Sequence, residues 1–329
     1  MNVPSRSAAG EAGTGAVAGA AVIGLDLGGT KIAAALFGAD GAVVARHTRP
    51  TPAQDGATAV LDALAEAAAA VDPERLATAL GVAAAGVVDP RTGMVTSATD
   101  SIRGWAGTAL GAGLADRSGY PVACDNDVRA TAGPELAAQT ADGSGHGSLL
   151  FVAVGTGVGG AIAVDGRMLH GAAGIAGHLG HLPSPEAAGM PCTCGAAGHL
   201  EVIASGPGIA AHYERLTGAP VDRLETVAAR AARGEAAAVR AITTGAAAIG
   251  HVLGGLANAL GPDRVVVGGG VPRIGPLYGK ALTAAFTAEL MPPLRGLVPE
   301  APRFGADAAV LGAAALTATL PLHHPGALR

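Results

Sequence analysis

The stretch VIGLDLGGTKIAAALF, residues 22–37, joins two apolar runs through a glycine-rich turn. This pattern predicts a β-hairpin whose turn exposes backbone N–H groups, because glycine adopts the backbone angles that tight turns need. A second stretch of the same design, LLFVAVGTGVGGAIAV, occupies residues 149–164. Since the two copies lie far apart in the chain, they predict a duplicated architecture in which each copy opens one lobe, with a cleft between the lobes.

Shorter patterns predict the elements around these two hairpins. Runs rich in β-forming residues predict strands at 21–27, 79–84, 122–124 and 264–267. Helical periodicity predicts helices at 57–71, 127–139, 224–233 and 236–260. Because strands and helices alternate, the chain is expected to adopt an α/β fold.

The composition of the chain indicates which kinds of partner it is expected to bind. The 329 residues carry a formal net charge of -5 and no Lys/Arg cluster, which argues against a nucleic-acid partner. Arg240 and His251 interrupt the most apolar stretch, so we expect no membrane span. Only three cysteines occur, and two lie in Cys192-Thr193-Cys194, a spacing that favours a metal site in a reducing, cytoplasmic setting over a disulfide framework.

The first glycine turn, DLGGTK, follows an apolar run and has the composition of a phosphate-binding loop. Gly28 and Gly29 make the turn, Thr30 can donate to a phosphate oxygen, and Lys31 can neutralise charge. Asp26 can hold Mg²⁺ through water. The alternative is an ordinary hairpin turn, although an aspartate directly after the apolar run favours the phosphate interpretation.

Two further glycine-lined strand ends predict a nucleotide cleft. Gly155, Thr156 and Gly157 form the second turn. A dinucleotide fold is rejected for it, because the residues that follow, AIAV, predict a strand where that fold needs a helix. Gly268 and Gly269 end a strand and could lie flat against a base or ribose; their alternative is a tight turn.

These three sites, in this order, resemble the sugar-kinase/actin/Hsp70 superfamily. The resemblance narrows at CTCGAAGHLE, residues 192–201, preceded by GHLGH at 177–181, which is similar to the signature of the ROK family (repressors, open reading frames and kinases). It extends from about residue 22 to about 316. It implies two actin-like (ribonuclease H-like) lobes with an interlobe cleft, an ATP-dependent sugar kinase with ATP and Mg²⁺, and a homodimer.

The expected domain organisation follows from the same resemblance and from composition. Residues 1–20 are predicted to be a flexible tail, too short for the DNA-binding domain of ROK repressors; a signal peptide is the alternative. Residues 21–130 form a small N-terminal lobe, completed by a C-terminal helix at about 308–320. Residues 131–307 form a large lobe that carries the metal site. The glycine-rich stretch 140–147 marks the boundary.

Four residues are predicted to hold a structural Zn²⁺. His181, Cys192, Cys194 and His199 supply thiolate and imidazole ligands, which tetrahedral Zn²⁺ prefers, and four protein ligands close the site. The family usually has cysteine at the position of His199. The alternative is a pair of buried cysteines with surface histidines. The third cysteine, Cys124, is expected to pack in the core.

The group Asp125-Asn126-Asp127 lies where a predicted strand meets a helix. An N-cap would explain one of the three residues. The resemblance implies that Asn126 binds a ring hydroxyl and that Asp127 is the catalytic base for the sugar 6-hydroxyl. It also places Gly86, Thr99 and Glu201 against the sugar.

Two further expectations concern the same region. His181 is expected to bind zinc through one ring nitrogen and the sugar through the other. Trp105 is expected to pack under a sugar-binding loop instead of stacking on the sugar.

His178 is the informative departure from the family pattern. Glucokinases of this family usually have glutamate there, whereas a histidine is familiar from bacterial N-acetylmannosamine kinases. A ring N–H at His178 could donate to the carbonyl of an N-acetyl group. We therefore predict phosphorylation of N-acetyl-D-mannosamine at its 6-hydroxyl. The alternatives are a glucokinase and a sugar-sensing protein without catalysis.

Overall fold

The computed structural model describes residues 19–143, 145–305 and 307–321. Residues 1–18 of the predicted tail lie outside this range. The strands are β1 (Val22–Leu27), β2 (Lys31–Phe37), β3 (Val43–Pro50), β4 (Ala79–Ala84), β5 (Val87–Asp89), β6 (Met94–Ser97), β7 (Val122–Asn126), β8 (Leu149–Val154), β9 (Val158–Val164), β10 (Arg167–Met168), β11 (Arg264–Gly268) and β12 (Pro299–Glu300). The α-helices are α1 (Ala57–Val71), α2 (Leu110–Ser118), α3 (Asp127–Ala141), α4 (Glu201–Ala204), α5 (Gly206–Thr217), α6 (Leu224–Ala232), α7 (Ala236–Leu260), α8 (Pro276–Glu289) and α9 (Ala308–Leu316).

Two five-stranded sheets share one topology. The first has the order β3-β2-β1-β4-β7 and the second β10-β9-β8-β11-β12. In each sheet a hairpin supplies antiparallel strands, β1/β2 or β8/β9. A later strand, β4 or β11, pairs parallel to the hairpin's first strand, and β7 or β12 pairs parallel to that one. The predicted hairpins and the predicted duplication are therefore confirmed.

Each sheet has its own apolar core. The largest core cluster packs the second sheet against helices α4 to α8, and another packs the first sheet against α1 and α2. Alanine and glycine let helices approach closely; α7 and α8 form the most extensive helix pair. The low aromatic content of 2% fits cores filled mainly by small and branched aliphatic side chains.

The C-terminal helix α9 packs on the first sheet, against β1 and β4. The fit depends on a glycine in β4: a Cβ at Gly81 would lie 1.7 Å from the carbonyl oxygen of Ala313. Helix α9 also packs against α3, and α3 contacts β9 of the second sheet. The two helices thus lie between the sheets, while the predicted lobe boundaries remain a prediction.

Most predicted elements are present within one to three residues of their predicted ends, and two of the helices match fully. The sequence analysis missed β3, the β5/β6 hairpin, the short strands β10 and β12, and helices α2, α4, α5 and α8. Strand β3 alternates between half-exposed and exposed residues, so its apolar signal is weak. Helix α5 begins with Gly-Pro-Gly, which resembles a loop in sequence, although a proline near the first helical position is common.

The sequence-based reason for expecting no membrane span is wrong, although the expectation itself is not contradicted. Helix α7 is long and apolar enough to cross a membrane by length and composition alone. Arg240 lies near its first turn, so it does not interrupt the apolar stretch that follows. Half of that stretch is buried against neighbouring helices. A core helix of a globular domain can be equally long and apolar for this reason.

Candidate active site

Three turns begin at one edge of the first sheet. The parallel strands β1, β4 and β7 end in register at Leu27, Ala84 and Asn126. The DLGGTK turn, the turn at Gly86 and the first turn of α3 therefore start side by side. The carboxyl edge of parallel strands is where α/β folds assemble binding sites.

Asn126 is the N-cap of α3 and also ties this edge together. Its side-chain oxygen accepts from the backbone N–H groups of Val128 (3.0 Å) and Arg129 (3.2 Å). Its amide nitrogen donates to the carbonyl oxygen of Gly86 (3.0 Å) and to Oδ1 of Asp127 (2.8 Å). Both amide hydrogens are thus engaged, and a sugar hydroxyl bound here would compete with one of these partners.

Asp127 lies at the first position of α3 and has an altered acidity. Burial, and secondly the negative charge of Asp26, raise the pKa of Asp127 to about 6. Burial also raises the pKa of Asp26, and the positive charge of Lys31 opposes that change. Two neighbouring carboxylates with raised pKa values are a common feature of functional sites, and a bound cation would relieve their repulsion.

The second glycine turn contacts Glu201. The Glu201 Oε2 atom accepts from the backbone N–H of Val158 at 2.8 Å. The turn is closed by Gly155, whose N–H donates to the carbonyl oxygen of Gly157 at 2.9 Å. A Cβ at Gly159 would overlap the side chain of Val128, so this turn packs against the helix that carries Asp127.

The residues predicted to contact the nucleotide also lie close together. Gly268 pairs in register with Ala153, which places the glycines after β11 beside the second glycine turn. The carbonyl oxygen of Gly155 accepts from the N–H of Gly206 at 2.8 Å, so the start of α5 completes this group. The sequence analysis missed Gly206, although Ser205, the N-cap before the Gly-Pro start, is a recognisable helix-start signal.

The loop that carries Thr99 is exposed and lies near the first glycine turn. The Thr99 and Ser101 hydroxyls are 3.0 Å apart, and Ser101 is the side chain closest to Gly29. Trp105 is fully buried, and its indole N–H donates to the carbonyl oxygen of Ala85 at 3.0 Å. Trp105 is therefore buried and bonded to the residue before Gly86, whereas the sugar-binding role of the loop above it stays a prediction.

The hydrogen bonds of His178 differ from those expected from the sequence. Its Nδ1 lies 3.0 Å from the carbonyl oxygen of Ile175, which can only accept, so Nδ1 carries the proton. Burial, and secondly the positive charge of Arg129, lower the pKa of His178 and favour the neutral ring. In the neutral ring Nε2 is then an acceptor. The ring therefore suits an amide N–H better than the acetyl carbonyl proposed from sequence.

The four predicted zinc ligands form one cluster. The ligand atoms of His181, Cys192, Cys194 and His199 all lie within 4.8 Å of one another. The Sγ of Cys194 is 3.3 Å from Nδ1 of His199, and the Sγ of Cys192 is 3.7 Å from Nδ1 of His181. Bond lengths of about 2.0–2.3 Å to a tetrahedral Zn²⁺ place ligand atoms at such separations. The donor set and spacing fit a closed zinc site.

Fold and site together define an α/β protein with the actin-like arrangement of two related sheets. The ROK family model matches residues 22–319, so the chain belongs to the ROK family. An N-acetylmannosamine kinase of Shigella flexneri is 33% identical over 305 residues, covering 90% of this chain and 97% of that protein. A glucokinase of Halalkalibacterium halodurans is 31% identical over 313 residues, covering 88% and 92%. A ROK glucokinase from Streptomyces griseus, solved with glucose and AMPPNP, has a TM-score of 0.75 at 29% identity, covering 90% and 98%.

Proposed function

We propose that N-acetyl-D-mannosamine is the sugar that this ATP-dependent kinase phosphorylates on its 6-hydroxyl. The observation that carries the choice of sugar is the neutral His178 beside an open groove of about 900 Å³. The similarity to N-acetylmannosamine kinases over most of the chain supports it.

Asp127 is the proposed base. Its carboxylate takes the proton of the 6-hydroxyl as that oxygen forms a bond to the γ-phosphorus of ATP, and the bond from phosphorus to the β-phosphate oxygen breaks. The products are the sugar 6-phosphate and ADP. Asp26 is the proposed residue for Mg²⁺, which would supply charge neutralisation at the phosphates. The three glycine groups are the proposed phosphate and nucleotide contacts: Gly28, Gly29, Thr30 and Lys31; Gly155, Thr156 and Gly157; Gly268 and Gly269.

His178 is the proposed specificity residue. A neutral imidazole whose Nε2 accepts can bind the N–H of an acetamido group. A carboxylate in the same place would repel the acetyl carbonyl oxygen with a full negative charge, whereas the lone pair of a neutral ring repels it less. The groove that His178 lines has apolar walls, including Ile162 and Leu179, that could take the acetyl methyl group.

Glucose is the second candidate. The similarity to a glucokinase of Halalkalibacterium halodurans supports it, as does the likeness to the glucose-bound Streptomyces griseus enzyme. The other proposed sugar contacts are Gly86, Thr99, Asn126, His181 and Glu201.

Steady-state kinetics with ATP and Mg²⁺ on N-acetylmannosamine, N-acetylglucosamine, mannose and glucose test the proposal. We expect the highest kcat/KM for N-acetylmannosamine. His178→Glu should shift the preference toward glucose by about 1–3 kcal/mol, the cost of a poorly paired buried polar group. His146→Glu, at an exposed histidine, is the matched control and should leave the preference unchanged. A wild-type preference for glucose would refute the sugar assignment.

Zinc and assembly are separate parts of the proposal. The cluster of four ligands is proposed to hold one structural Zn²⁺. A homodimer and a cytoplasmic location stay predictions that rest on the family resemblance. Mass measured by sedimentation of the purified protein tests the dimer.

A further inference from the structure

A buried arginine in the first turn of α3 contacts several parts of the proposed sugar site. The Arg129 side chain is fully buried, and its Nε donates to Oδ1 of Asp125 at 2.8 Å. The ion pair explains how the charge is tolerated inside the protein, since a buried charge needs a close partner.

The rest of the guanidinium binds backbone carbonyls of two distant segments. Nη1 donates to the carbonyl oxygens of Gly174 (3.0 Å) and Ala176 (3.1 Å), and Nη2 donates to that of Val88 (3.2 Å). Four donated hydrogen bonds leave little of the planar fork unused. One side chain therefore joins α3, strand β5 and the loop 170–178.

Arg129 and two of the residues it contacts, Val88 and Ala176, each lie two residues from a proposed sugar-binding group. Gly86 precedes Val88 by two residues, Asp127 precedes Arg129 by two, and His178 follows Ala176 by two. The loop has backbone hydrogen bonds of its own, such as Ala176 N–H to the carbonyl oxygen of His170 (3.1 Å), but Ile175 near its centre is 56% exposed. Arg129 thus sets the distances among three groups that the chain brings from separate elements.

A second contact fixes the start of the same loop. The Nε2 atom of His170 lies 2.8 Å from Oδ2 of Asp125, so Asp125 is shared by Arg129 and His170. The His170 side chain is 34% exposed, so its removal should disturb the core less than removal of Arg129.

We propose that Arg129 is a positioning residue for sugar binding: with Asp125 and His170 it clamps the loop 170–178 onto the helix that carries Asp127. The proposal rests on the proposed function, since it takes Asp127 and His178 as sugar-site residues. Lysine cannot replace it, because an ammonium group has three donors and lacks the planar fork.

The test compares Arg129→Lys with Arg264→Lys, a matched control. Arg264 is also buried and ion-paired, to Glu135 of α3 and to Glu300, but it lies away from the loop. We expect Arg129→Lys to raise the KM for the sugar at least tenfold and to change the KM for ATP less than twofold. Amide exchange in residues 170–178 should become faster. Arg264→Lys should lower the melting temperature and leave both KM values and the loop exchange unchanged.

Equal loop exchange in wild type and Arg129→Lys would overturn the proposal, as would a sugar KM within twofold of wild type. If Arg129→Lys does not fold, His170→Ala is measured by the same two criteria, with the same direction expected. The outcome is separate from the sugar assignment. If wild type prefers glucose, the substrate proposal fails while the clamp is still tested with glucose. If N-acetylmannosamine is the substrate and Arg129→Lys behaves as wild type, only the clamp fails.

Discussion

Asp125, Asn126 and Asp127 are adjacent in the chain but occupy three different environments. Asp125 is paired with a buried arginine, and Asn126 caps α3. Asp127 lies near the carboxylate of Asp26, and its pKa is raised to about 6 by burial and by that charge. The raised pKa of Asp127 therefore suits a general base that works near neutral pH.

Asp127→Asn should retain the fold and the sugar affinity within a few-fold while kcat falls by about 10²–10⁴, the usual contribution of a general base. In wild type, kcat/KM should fall as the pH drops below about 6, because the protonated carboxyl cannot accept the hydroxyl proton. Steady-state rates between pH 5 and 8 measure both effects. A variant with near wild-type kcat would remove Asp127 from the catalytic role.

The same substitution should make the fold more stable at neutral pH. The folded-state pKa of Asp127, about 6, is above the ordinary aspartate pKa of 3.8, so ionisation above pH 6 costs the folded state free energy. Asp127→Asn removes that cost, about 1–3 kcal/mol above pH 6, and the gain should disappear below about pH 4. Thermal melting of both proteins across this range measures it. A gain that does not depend on pH would contradict the assigned cause.

At the scale of the elements, the segment from Leu179 to Glu201 links the proposed metal site to the sugar site. A short 3-10 helix, Leu179–His181, places His181 in the ligand cluster directly after His178. At the other end, helix α4 begins with Glu201 just after the ligand His199. Holding both ends at one ion would fix the loop between them without a large apolar core.

Cys192→Ser should therefore lower the melting temperature and the sugar affinity together, since the ligands flank both His178 and Glu201. Native protein should contain one Zn²⁺ per chain, and the variant much less. Metal analysis, thermal melting and the sugar KM are the measurements. Cys124→Ser is the control. Cys124 is buried in the core of the first sheet, away from the cluster, so this substitution should leave the metal content unchanged. Native protein prepared without chelators and free of zinc would refute the site.

At the scale of the whole molecule, the proposed sugar contacts are divided between the two sheets. Gly86 follows strand β4 of the first sheet and Asn126 ends its strand β7, whereas Glu201 begins α4 and accepts from Val158 of the second sheet. Helices α3 and α9 pack against each other between the sheets. A ligand bound at both edges would therefore connect two cores that are otherwise joined mainly through these helices.

Sugar binding should protect both sheets from amide exchange, including backbone near Gly86 and near Glu201. At a sugar concentration of 100 times Kd, the gain in unfolding free energy should be about 2.7 kcal/mol, because the ligand binds the folded protein alone. Exchange measurements with and without the preferred sugar test this, and the least preferred hexose of the panel is the control. Protection confined to one sheet would contradict a site shared between them.

The sequence by itself determined the features that depend on local spacing. The glycine turns between apolar runs predicted both hairpins, because turn geometry and strand periodicity are encoded within a few residues. The order of residues 181–199 predicted the four-ligand cluster, since three of the ligands come from eight consecutive residues and the fourth from a short helix just before them. The α/β class followed from the alternation of strands and helices.

Tertiary structure decided the properties that depend on residues far apart in the chain. The proton on Nδ1 of His178 is set by a local carbonyl, but the pKa of the ring is lowered first by burial and then by the charge of Arg129, which is 49 positions away. The raised pKa of Asp127 needs burial and Asp26, and the contacts of Arg129 cross 41 to 47 positions. Desolvation and charge interactions depend on distance in space, and only the packing of two sheets and their helices fixes those distances.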